Sequence, residues 1–168
     1  MKQNSTDSIS FSSRIGKITI TATHSGISHV ILGNQEDPSY PSQNQTELLT
    51  LAKAQLLEYL DGTRKVFALP LDWNDIAGFQ KDVLSITMEI PFGSVMTYGQ
   101  IAKRLGKPNA GRAVGGALSR NPLPILIPCH RVISSSGALT GYTGAEGIAT
   151  KELLLGIEGL KIVNQKLA

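Results

Sequence analysis

The chain contains one cysteine, Cys129, in the segment Ile-Pro-Cys-His-Arg-Val. A lone cysteine is more often a buried apolar residue than a nucleophile. Its neighbours His130 and Arg131, however, can lower a thiol pKa and so favour the nucleophilic thiolate. Adjacent residues of an extended segment point to opposite sides. His130 is therefore predicted to reach Cys129 only if the backbone bends there or if a water joins the two side chains.

Metal binding is the second chemistry that these residue types allow. The candidate ligands are Cys129 and the three histidines, His24, His29 and His130. No CxxC or HxxxH spacing joins them, whereas a structural zinc site needs about four closed ligands. His24 and His29 flank a predicted turn and are expected at the surface. We therefore predict neither a metal site nor a cofactor.

The composition is that of a folded chain. A hydrophobic fraction of 41% provides a core for one domain or two small ones, and a charged fraction of 17% is low for disorder. No apolar run is long enough for a membrane helix, and the serine-rich residues 1–13, which lack the apolar core of a signal peptide, are predicted to be a short disordered leader. One cysteine excludes an internal disulfide. A reducing cytoplasm is the default location; a nuclear location stays open, although no clear basic cluster is present.

Charge is distributed unevenly along the chain. Residues 1–75 carry six Lys/Arg and eight Asp/Glu, a net charge of −2, whereas residues 76–168 carry ten and five, a net charge of +5. No acidic residue lies between Glu89 and Glu146. This asymmetry predicts that the second half faces a polyanion, with a merely solvated basic face as the alternative. The cations of the acid-free stretch are Lys103, Arg104, Lys107, Arg112, Arg120 and Arg131.

Residues 1–75 are predicted to form a small scaffold of sheet and one helix. Residues 16–23 alternate apolar and polar side chains, as a half-buried strand does, and a His-Ser-Gly turn leads to a second strand over residues 27–33. A helix over residues 46–62 follows, with a glycine where a C-terminal cap is expected. Residues 65–73 are predicted as a further strand, which its proline limits to an edge or an end.

Residues 76–168 are predicted to be mostly helical. Asn74 is placed to cap a helix that runs toward Met88. Thr97 is placed to cap a short helix that stops at a glycine, and Asn109 to cap the next one. Two short helices joined by a tight turn that contains glycine match a helix-turn-helix.

The segment that leads into Cys129 is apolar and bounded by prolines. Asn121-Pro122 ends the second helix of the pair, because the residue before a proline disfavours the α region. Residues 123–128, Leu-Pro-Ile-Leu-Ile-Pro, are predicted to be a buried extended segment that delivers Cys129 from the core. A loop rich in glycine and serine follows, and then a last helix over residues 150–159.

The second helix of the predicted helix-turn-helix is unusually smooth. Glycine costs about 1 kcal/mol per site in a helix interior, so close approach of the helix backbone to another surface is the expected gain. The helix lacks the long side chains that read base edges, and with Arg112 alone it fits a shallow or narrow groove better than a deep one. Tight packing against another helix is the alternative. Its small residues are Gly111, Ala113, Gly115, Gly116 and Ala117.

Together these features resemble the O6-alkylguanine-DNA alkyltransferases, DNA-repair proteins also called methylated-DNA–protein-cysteine methyltransferases. Residues 1–75 resemble only the general plan of the family's variable first domain. The resemblance implies an α+β fold of two domains: a sheet-plus-helix domain of the ribonuclease H type over residues 1–75, and a mostly helical domain with a helix-turn-helix over residues 76–168. The matching segments run in the family's order over most of residues 79–159 and are "IPFGSVMTYGQIA", "GRAVGGALSRNPLPILIPCHRV", "GALTGY" and "KELLLGIEG".

The resemblance also implies catalytic roles by position. Cys129 would be the alkyl acceptor, and His130 the general base that takes the thiol proton through a bound water. Glu158 would orient His130. Tyr98 would hydrogen-bond the guanine ring and help it leave, and Asn121 would bond near the cysteine and brace the two segments.

Substrate and DNA contacts follow from the same resemblance. Tyr142, Thr143 and Val132 would line the substrate pocket, and Arg112 would fill the space of an extruded nucleotide. The remaining DNA-binding residues would be Ala113, Gly115, Gly116, Arg120, Lys103 and Arg104.

The implied function is DNA repair by irreversible, single-turnover transfer of an alkyl group, such as methyl, from O6-alkylguanine to Cys129 after nucleotide flipping. The protein would be a stoichiometric methyltransferase and a monomer that binds the minor groove of double-stranded DNA without sequence preference and uses no cofactor. Two other classes stay open. A damage sensor of this family would lack the cysteine that this chain has, and a helix-turn-helix regulator would need base-reading side chains that are missing.

Two features depart from the family's pattern, and both fall on the wall of the implied pocket. The family usually has Gly-Gly after the tyrosine segment, where this chain has Gly144-Ala145. The stretch from Tyr142 to Lys151 is also slightly longer than usual and contains Glu146. The preferred size of the alkyl group therefore stays open.

Overall fold

The structure is a computed structural model that describes residues 6–34 and 46–168. Its first part is an antiparallel sheet in which β2 (Gly16–Thr23) lies between β1 (Asp7–Ser13) and β3 (Gly26–Leu32). The β2–β3 hairpin confirms the predicted pair of strands.

The prediction of a disordered leader is wrong for β1. Ile9 and Phe11 alternate with serines, are buried, and stand opposite Ile20 and Ile18 of β2. A strand in which alternate residues are apolar can bury one face on the core and leave the other polar. Residues 1–5 of the predicted leader lie outside the described residues.

The first helix, α1 (Glu47–Leu60), packs its apolar face on the sheet and confirms the predicted helix. The Thr46 side chain accepts a hydrogen bond from the Leu49 N–H at 3.3 Å. Gly62 follows the end of the helix with φ +78°, a left-handed conformation that favours glycine. Tyr59, near the end of α1, is fully buried.

The strand predicted over residues 65–73, all of them described, does not form. A single bridge joins Leu71 to Ile27 of β3. There the Ile27 N–H donates to the Pro70 carbonyl and the Asp72 N–H donates to the Ile27 carbonyl, both at 2.8 Å. Because proline has no N–H, it cannot continue the ladder. The segment therefore touches the edge of the sheet at one point and moves on toward the helical part.

Helices are the main regular elements in the second part of the chain, as the predicted helical domain requires. Its helices in the described residues are α2 (Gly78–Met88), α3 (Tyr98–Arg104), α4 (Gly111–Ser119) and α5 (Ile148–Ile157). α3 and α4 form the predicted helix-turn-helix. The Thr97 side chain accepts a hydrogen bond from the Gln100 N–H, and the Gln100 side chain accepts one from the Thr97 N–H, so the predicted cap is a full capping box. No helix in the described ranges has the length and apolar character needed to cross a bilayer.

The helix caps predicted at Asn74 and Asn109 are wrong. α2 starts after Ala77 and α4 after Ala110, and neither of these N-cap residues caps through its side chain. Asn74 lies in a turn instead, where its N–H donates to the Asp72 carboxylate at 2.9 Å. The Ala110 N–H closes another turn by donating to the carbonyl of Lys107. Asn109 is therefore enclosed in that turn and does not stand at the helix boundary.

Short elements complete the fold and place the cysteine. β4 (Met96–Thr97) pairs in parallel with β5 (Val132–Ile133), and β6 (Ile162–Val163) forms a hairpin with β7 (Lys166–Leu167). Immediately before β5, Cys129–Arg131 forms one turn of 3₁₀-helix. The backbone therefore bends at the cysteine, which was one of the two arrangements that its sequence context allowed.

The segment before the cysteine is largely buried as predicted, but it turns where an extended run was expected. Ile125 adopts φ +73°, and the Ile127 N–H donates to the Leu123 carbonyl at 2.8 Å. The Asn121 side chain holds both arms of the turn. Its amide nitrogen donates to the Ile127 carbonyl at 3.0 Å, and its oxygen accepts from the Leu123 N–H at 2.9 Å. An asparagine that satisfies nearby backbone groups in this way stabilises a turn over a strand.

Candidate active site

Cys129 lies partly buried in the wall of a cavity of about 200 Å³ between the two parts of the chain. The turn braced by Asn121 ends at this residue, and the Cys129 N–H donates to the Ile127 carbonyl at 2.8 Å. Of the predicted site residues, Asn121, Tyr142 and Thr143 line the same cavity. Tyr142 is 9% exposed, and burial raises the pKa of its hydroxyl.

Val132 was predicted to line the pocket, but it is not among the residues that line this cavity. Its side chain is fully buried in β5. Its carbonyl accepts a hydrogen bond of 2.5 Å from the Lys151 amine. Because β5 pairs with β4, Val132 belongs to the frame behind the pocket and not to its lining.

The cavity has a wall from the N-terminal sheet, which the sequence did not reveal. His29 and Ile31 of β3 line it, so His29 is not the free surface histidine that was expected. The Val30 N–H donates to the Pro122 carbonyl at 2.8 Å, which ties β3 to the segment that leads to the cysteine. The edge of the sheet thereby helps to position the site.

The unusual wall segment also docks on β3. The Ala145 N–H donates to the Leu32 carbonyl at 3.2 Å. A Cβ at Gly144 would lie 3.0 Å from the Leu32 side chain, so this glycine allows the close approach. Ala145 stands at φ +47°, in the left-handed region that favours glycine. The departure from Gly-Gly therefore falls on a strained residue, next to the cavity wall.

His130, the residue after Cys129, forms a buried pair with Glu158. The His130 Nε2 lies 2.7 Å from Glu158 Oε1, and both side chains are fully buried. Burial opposes ionisation of Glu158, but hydrogen bonds from His130 and Arg131 outweigh it and lower the carboxyl pKa to about 2. Burial, which the Glu158 charge does not fully offset, lowers the pKa of His130. At neutral pH the pair is therefore a neutral imidazole and a carboxylate.

The hydrogen bonds of this pair fix the tautomer of the imidazole. An ionised carboxylate only accepts hydrogen bonds, so His130 Nε2 must carry the proton that it shares with Glu158. The other nitrogen, Nδ1, is then unprotonated. It is buried and has no hydrogen-bond partner among the described residues. A free lone pair beside the turn that carries the thiol is the arrangement a general base requires.

Arg131 is a partner of Glu158 and not part of a basic surface. It is only 7% exposed, and its Nε and Nη2 donate to the two carboxylate oxygens of Glu158 at 2.9–3.1 Å. Its Nη1 donates to the Ile90 carbonyl at 2.6 Å. The Gly93 N–H donates to Glu158 Oε2 at 2.9 Å, so both carboxylate oxygens are satisfied. The sequence prediction that Arg131 belongs to the polyanion-facing stretch is wrong, because its charge is paired inside the molecule.

The thiol itself is held protonated by its surroundings. Burial raises the pKa of Cys129, opposed by the Asn121 side chain, the charge of Lys151 and backbone amides of the turn. Lys151 is 1% exposed, and its amine also donates to the Thr140 carbonyl at 2.8 Å. Burial lowers the pKa of Lys151 to about 8. Formation of the thiolate therefore needs a proton acceptor close by, and His130 is the neutral base in the adjacent position.

A second hollow adjoins the helix-turn-helix. It is lined by Tyr98, Arg112, Gly115 and Thr140, among others. The Tyr98 hydroxyl donates to the Thr140 carbonyl at 2.9 Å, and burial raises its pKa. A Cβ at Gly115 would lie 3.8 Å from the Tyr98 ring, so the small residues of α4 leave this hollow open.

The predicted DNA-binding residues lie on or beside the helix-turn-helix. Arg112, Ala113 and Arg120 of this region are exposed, and Gly115 and Gly116 are half-buried, whereas Ala117 faces the core. Lys103 is exposed at the end of α3. Arg104 is exposed but already forms an ion pair with Glu89, which reduces the positive charge that it offers to a partner. The exposed residues of the set are Arg112, Ala113, Arg120, Lys103 and Arg104.

No group of three or more His, Cys, Asp and Glu in the described part of the chain could hold a metal ion. His24 is exposed and bonds to the Ser25 hydroxyl at 3.2 Å. His130 is committed to Glu158. The histidines therefore act here as hydrogen-bonding groups.

Two domain models of one family match the two parts of the chain. The model described as the ribonuclease-like domain of 6-O-methylguanine DNA methyltransferase matches residues 9–73, and the model of the DNA-binding domain of the same protein matches residues 78–160. A ribonuclease-like domain followed by a helical DNA-binding domain is the class that the fold defines.

Curated relatives and solved structures agree with these matches. The chain is 42% identical to the methylated-DNA–protein-cysteine methyltransferase of Methanosarcina acetivorans, over 89% of this chain and 96% of that protein. It is 41% identical to the constitutive enzyme of the same name from Bacillus subtilis, over 86% and 90%. The crystal structure of the Mycobacterium tuberculosis O6-methylguanine methyltransferase superposes with a TM-score of 0.81 at 36% identity, covering 92% of this chain and 93% of that one. A second structure, M. tuberculosis OGT in complex with DNA, gives 0.80 at 35% identity, covering 90% and 92%.

The chain belongs to the 6-O-methylguanine DNA methyltransferase family, which confirms the family predicted from its sequence.

Two residues of the site escaped the sequence analysis. Tyr59 lies on α1, and its hydroxyl donates to Glu158 Oε1 at 2.7 Å. Lys151, inside a segment that matches the family, supplies the charge near Cys129. A lysine or tyrosine at helical spacing with apolar residues does not indicate a role in a functional site, because ordinary packing of a helix produces the same pattern.

We predict that Glu158→Gln destabilises the protein strongly, because the Arg131 guanidinium would remain buried without a carboxylate. Breaking a buried pair in this way costs about 3–5 kcal/mol. The folded pKa of about 2 lies below the usual value for Glu, so the stabilisation from Glu158 is full at neutral pH and falls as pH decreases toward 2. Urea unfolding at a series of pH values measures both effects, and the difference between the wild type and the variant should shrink in acid.

Glu89→Gln is the matched control for this prediction. It removes the exposed ion pair with Arg104, and exposed pairs contribute about 0–1 kcal/mol. Equal free energies of unfolding for the Glu158→Gln and Glu89→Gln variants would contradict the role assigned to the buried carboxylate.

Proposed function

We propose that this protein repairs O6-alkylguanine in double-stranded DNA by transferring the alkyl group irreversibly to Cys129. The observation that carries the proposal is a thiol at the wall of a cavity, followed in the same 3₁₀ turn by His130, whose buried Nδ1 has no hydrogen-bond partner among the described residues. Relatives named as methylated-DNA–protein-cysteine methyltransferases, at 40–42% identity over most of the chain, support the same reaction.

The chemistry begins with the proton of the thiol. Because burial keeps Cys129 protonated, the proton passes to Nδ1 of His130 through a bound water as attack begins. Glu158 stabilises the imidazolium that forms. A thiolate is the soft, strong nucleophile that a saturated carbon requires.

The transfer is an in-line displacement. A sulfur–carbon bond forms, the bond between the alkyl carbon and guanine O6 breaks, and its electron pair stays on the guanine. The Tyr98 hydroxyl, which donates to the Thr140 carbonyl in the free protein, turns to donate to the guanine ring and stabilises the charge that develops there. Overall, the alkyl group moves from guanine O6 to sulfur, the thiol loses one proton to His130, and the guanine gains one proton from the site.

The product explains why each molecule acts once. A thioether offers no easy hydrolysis, and the sequence has no second cysteine to displace the alkylated one. The protein therefore acts as a stoichiometric methyltransferase without a cofactor. Asn121 braces the turn that carries the cysteine, and Tyr142 and Thr143 contact the alkylated base in the cavity.

The base must leave the DNA stack to reach Cys129. Flipping a nucleotide costs a few kcal/mol, and Arg112, exposed at the start of α4, fills the gap that the nucleotide leaves. The small residues Ala113, Gly115 and Gly116 let α4 lie close in the minor groove. Lys103, Arg104 and Arg120 neutralise phosphates, which gives affinity with little sequence preference.

The wider setting of the function is also part of the proposal. We place the domain boundary between residues 75 and 76, so that residues 1–75 carry the sheet and residues 76–168 carry the DNA-binding surface and the cysteine. The protein acts as a monomer, because one cavity and one α4 surface suffice for one lesion. The bacterial and archaeal sources of the relatives support a cytoplasmic location.

We predict that mixing the protein with a duplex that contains O6-methylguanine adds the mass of one CH₂ unit to the intact chain. The gain should map to the peptide that holds Cys129, and Cys129→Ser should show none. Intact-mass and peptide mass spectrometry measure both. Tight binding without a mass gain would identify a damage sensor and contradict alkyl transfer.

We predict that Arg112→Ala slows repair in duplex DNA roughly tenfold or more, because the unstacking cost would no longer be offset. Repair of the free base O6-methylguanine should change little, since it needs no flipping. Lys161→Ala, which removes a positive charge beyond the last helix, is the control for net charge. Equal losses on the duplex and the free base would contradict the role of Arg112 in flipping.

A further inference from the structure

We infer that Tyr59, on α1 of the N-terminal part, is a positioning residue for the base of the reaction. Its hydroxyl donates to Glu158 Oε1 at 2.7 Å and lies 3.1 Å from His130 Nε2. The inference rests on the proposed function, because it concerns how His130 is prepared to accept the thiol proton.

The ring of Tyr59 is held rigidly in place. It is fully buried, packs edge-on against Phe92 with ring centroids 6.2 Å apart, and packs at a tilt against Phe67 at 5.4 Å. Aromatic contacts of this kind leave the ring few alternative orientations. The hydroxyl is therefore delivered to one point, between the carboxylate and the imidazole.

The proton of the Tyr59 hydroxyl has a defined destination. Glu158 is ionised and accepts it, and burial together with the Glu158 charge raises the pKa of Tyr59, so the phenol keeps its proton. The phenol oxygen then has a lone pair that faces Nε2 of His130. When Nε2 carries a proton, that N–H has two acceptors, Glu158 Oε1 and the Tyr59 oxygen. An unprotonated Nε2 would instead face the lone pairs of both oxygens and would receive no hydrogen bond, because the phenol proton is already donated to Glu158. Tyr59 therefore favours the tautomer that leaves Nδ1 free.

The same hydroxyl also adjusts the basicity of the pair. By donating to Oε1, it withdraws negative charge that would otherwise hold a proton on His130. Without the hydroxyl, the carboxylate would stabilise the imidazolium more strongly and the pKa of His130 would rise. The groups that act on His130 are Tyr59 from α1, Lys151 from α5, Glu158 directly after α5, and Arg131 of its own turn.

This role is not explained by packing alone. A phenylalanine would fill the same space against Phe92 and Phe67, yet the residue carries a buried hydroxyl whose partners are the two catalytic side chains. It also means that the N-terminal part supplies a group to the reaction site and does not act only as a scaffold.

The test is the pH profile of repair by Tyr59→Phe. The rate of methyl transfer from duplex O6-methylguanine, with protein in excess, is measured from acid to alkaline pH. We expect a maximum rate lower by roughly fivefold, in keeping with the loss of one hydrogen bond. We also expect the acid limb to move to higher pH, because a more basic His130 remains protonated, and therefore unable to accept a proton, over a wider range.

Thr87→Val is the matched control. Thr87 is fully buried, and its hydroxyl donates to the Val83 carbonyl within α2, so its loss tests the effect of removing a buried hydroxyl elsewhere. Its pH profile should coincide with that of the wild type. A Tyr59→Phe profile that also coincides with the wild type, even with lowered stability, would overturn the inference and leave Tyr59 a structural residue.

A measurement on the unchanged protein covers the case in which Tyr59→Phe does not fold. A proton NMR spectrum should show a slowly exchanging Tyr59 hydroxyl proton with a cross-peak to the Nε2–H of His130. Its absence would overturn the inference. Failure of the proposed function would look different, because the wild type itself would then gain no mass from alkylated DNA.

Discussion

The fold and the chemistry of this protein both depend on one buried carboxylate, that of Glu158. Removing a carboxylate from water costs several kcal/mol unless its oxygens are well hydrogen-bonded. Here the donors come from α1, from the loop after α2 and from the 3₁₀ turn that begins at Cys129. The carboxylate is satisfied only when all of these elements are in place. The interaction that stabilises the fold is therefore the same one that prepares the base.

The N-terminal sheet completes the site from the other side. The free edge of β3 would expose unpaired backbone groups, which proteins usually cover. Here Val30 bonds to the segment before the cysteine, and Leu32 bonds to Ala145 in the wall segment. The backbone groups at the edge of the sheet and those in the cavity walls are thus hydrogen-bonded to each other. The Gly144-Ala145 segment therefore packs on Leu32 of β3, and Gly144 itself lines the cavity.

The features that could be predicted from the sequence are those whose partners are local. The helix cap at Thr97 is visible because its partner lies only three positions further along the chain, and the hairpin and helix-turn-helix follow from short-range patterns. The family motif supplied the roles of the site residues. Tyr59 could not be found, because its partners lie 71 and 99 residues away and packing already explains its position on α1. Arg131 was misjudged for the same reason: a charge pattern does not show that its partner, Glu158, lies 27 residues later.

The central claim is that burial holds His130 neutral, and that the network around Glu158 keeps its proton on Nε2 and leaves a free lone pair on Nδ1. Nitrogen-15 NMR of the histidine side chains at neutral pH, with His130→Phe used to assign the signals, tests this claim most directly. The account predicts an Nε2–H resonance and an unprotonated Nδ1 for His130 in the free protein. An Nδ1–H tautomer, or an imidazolium at neutral pH, would contradict it.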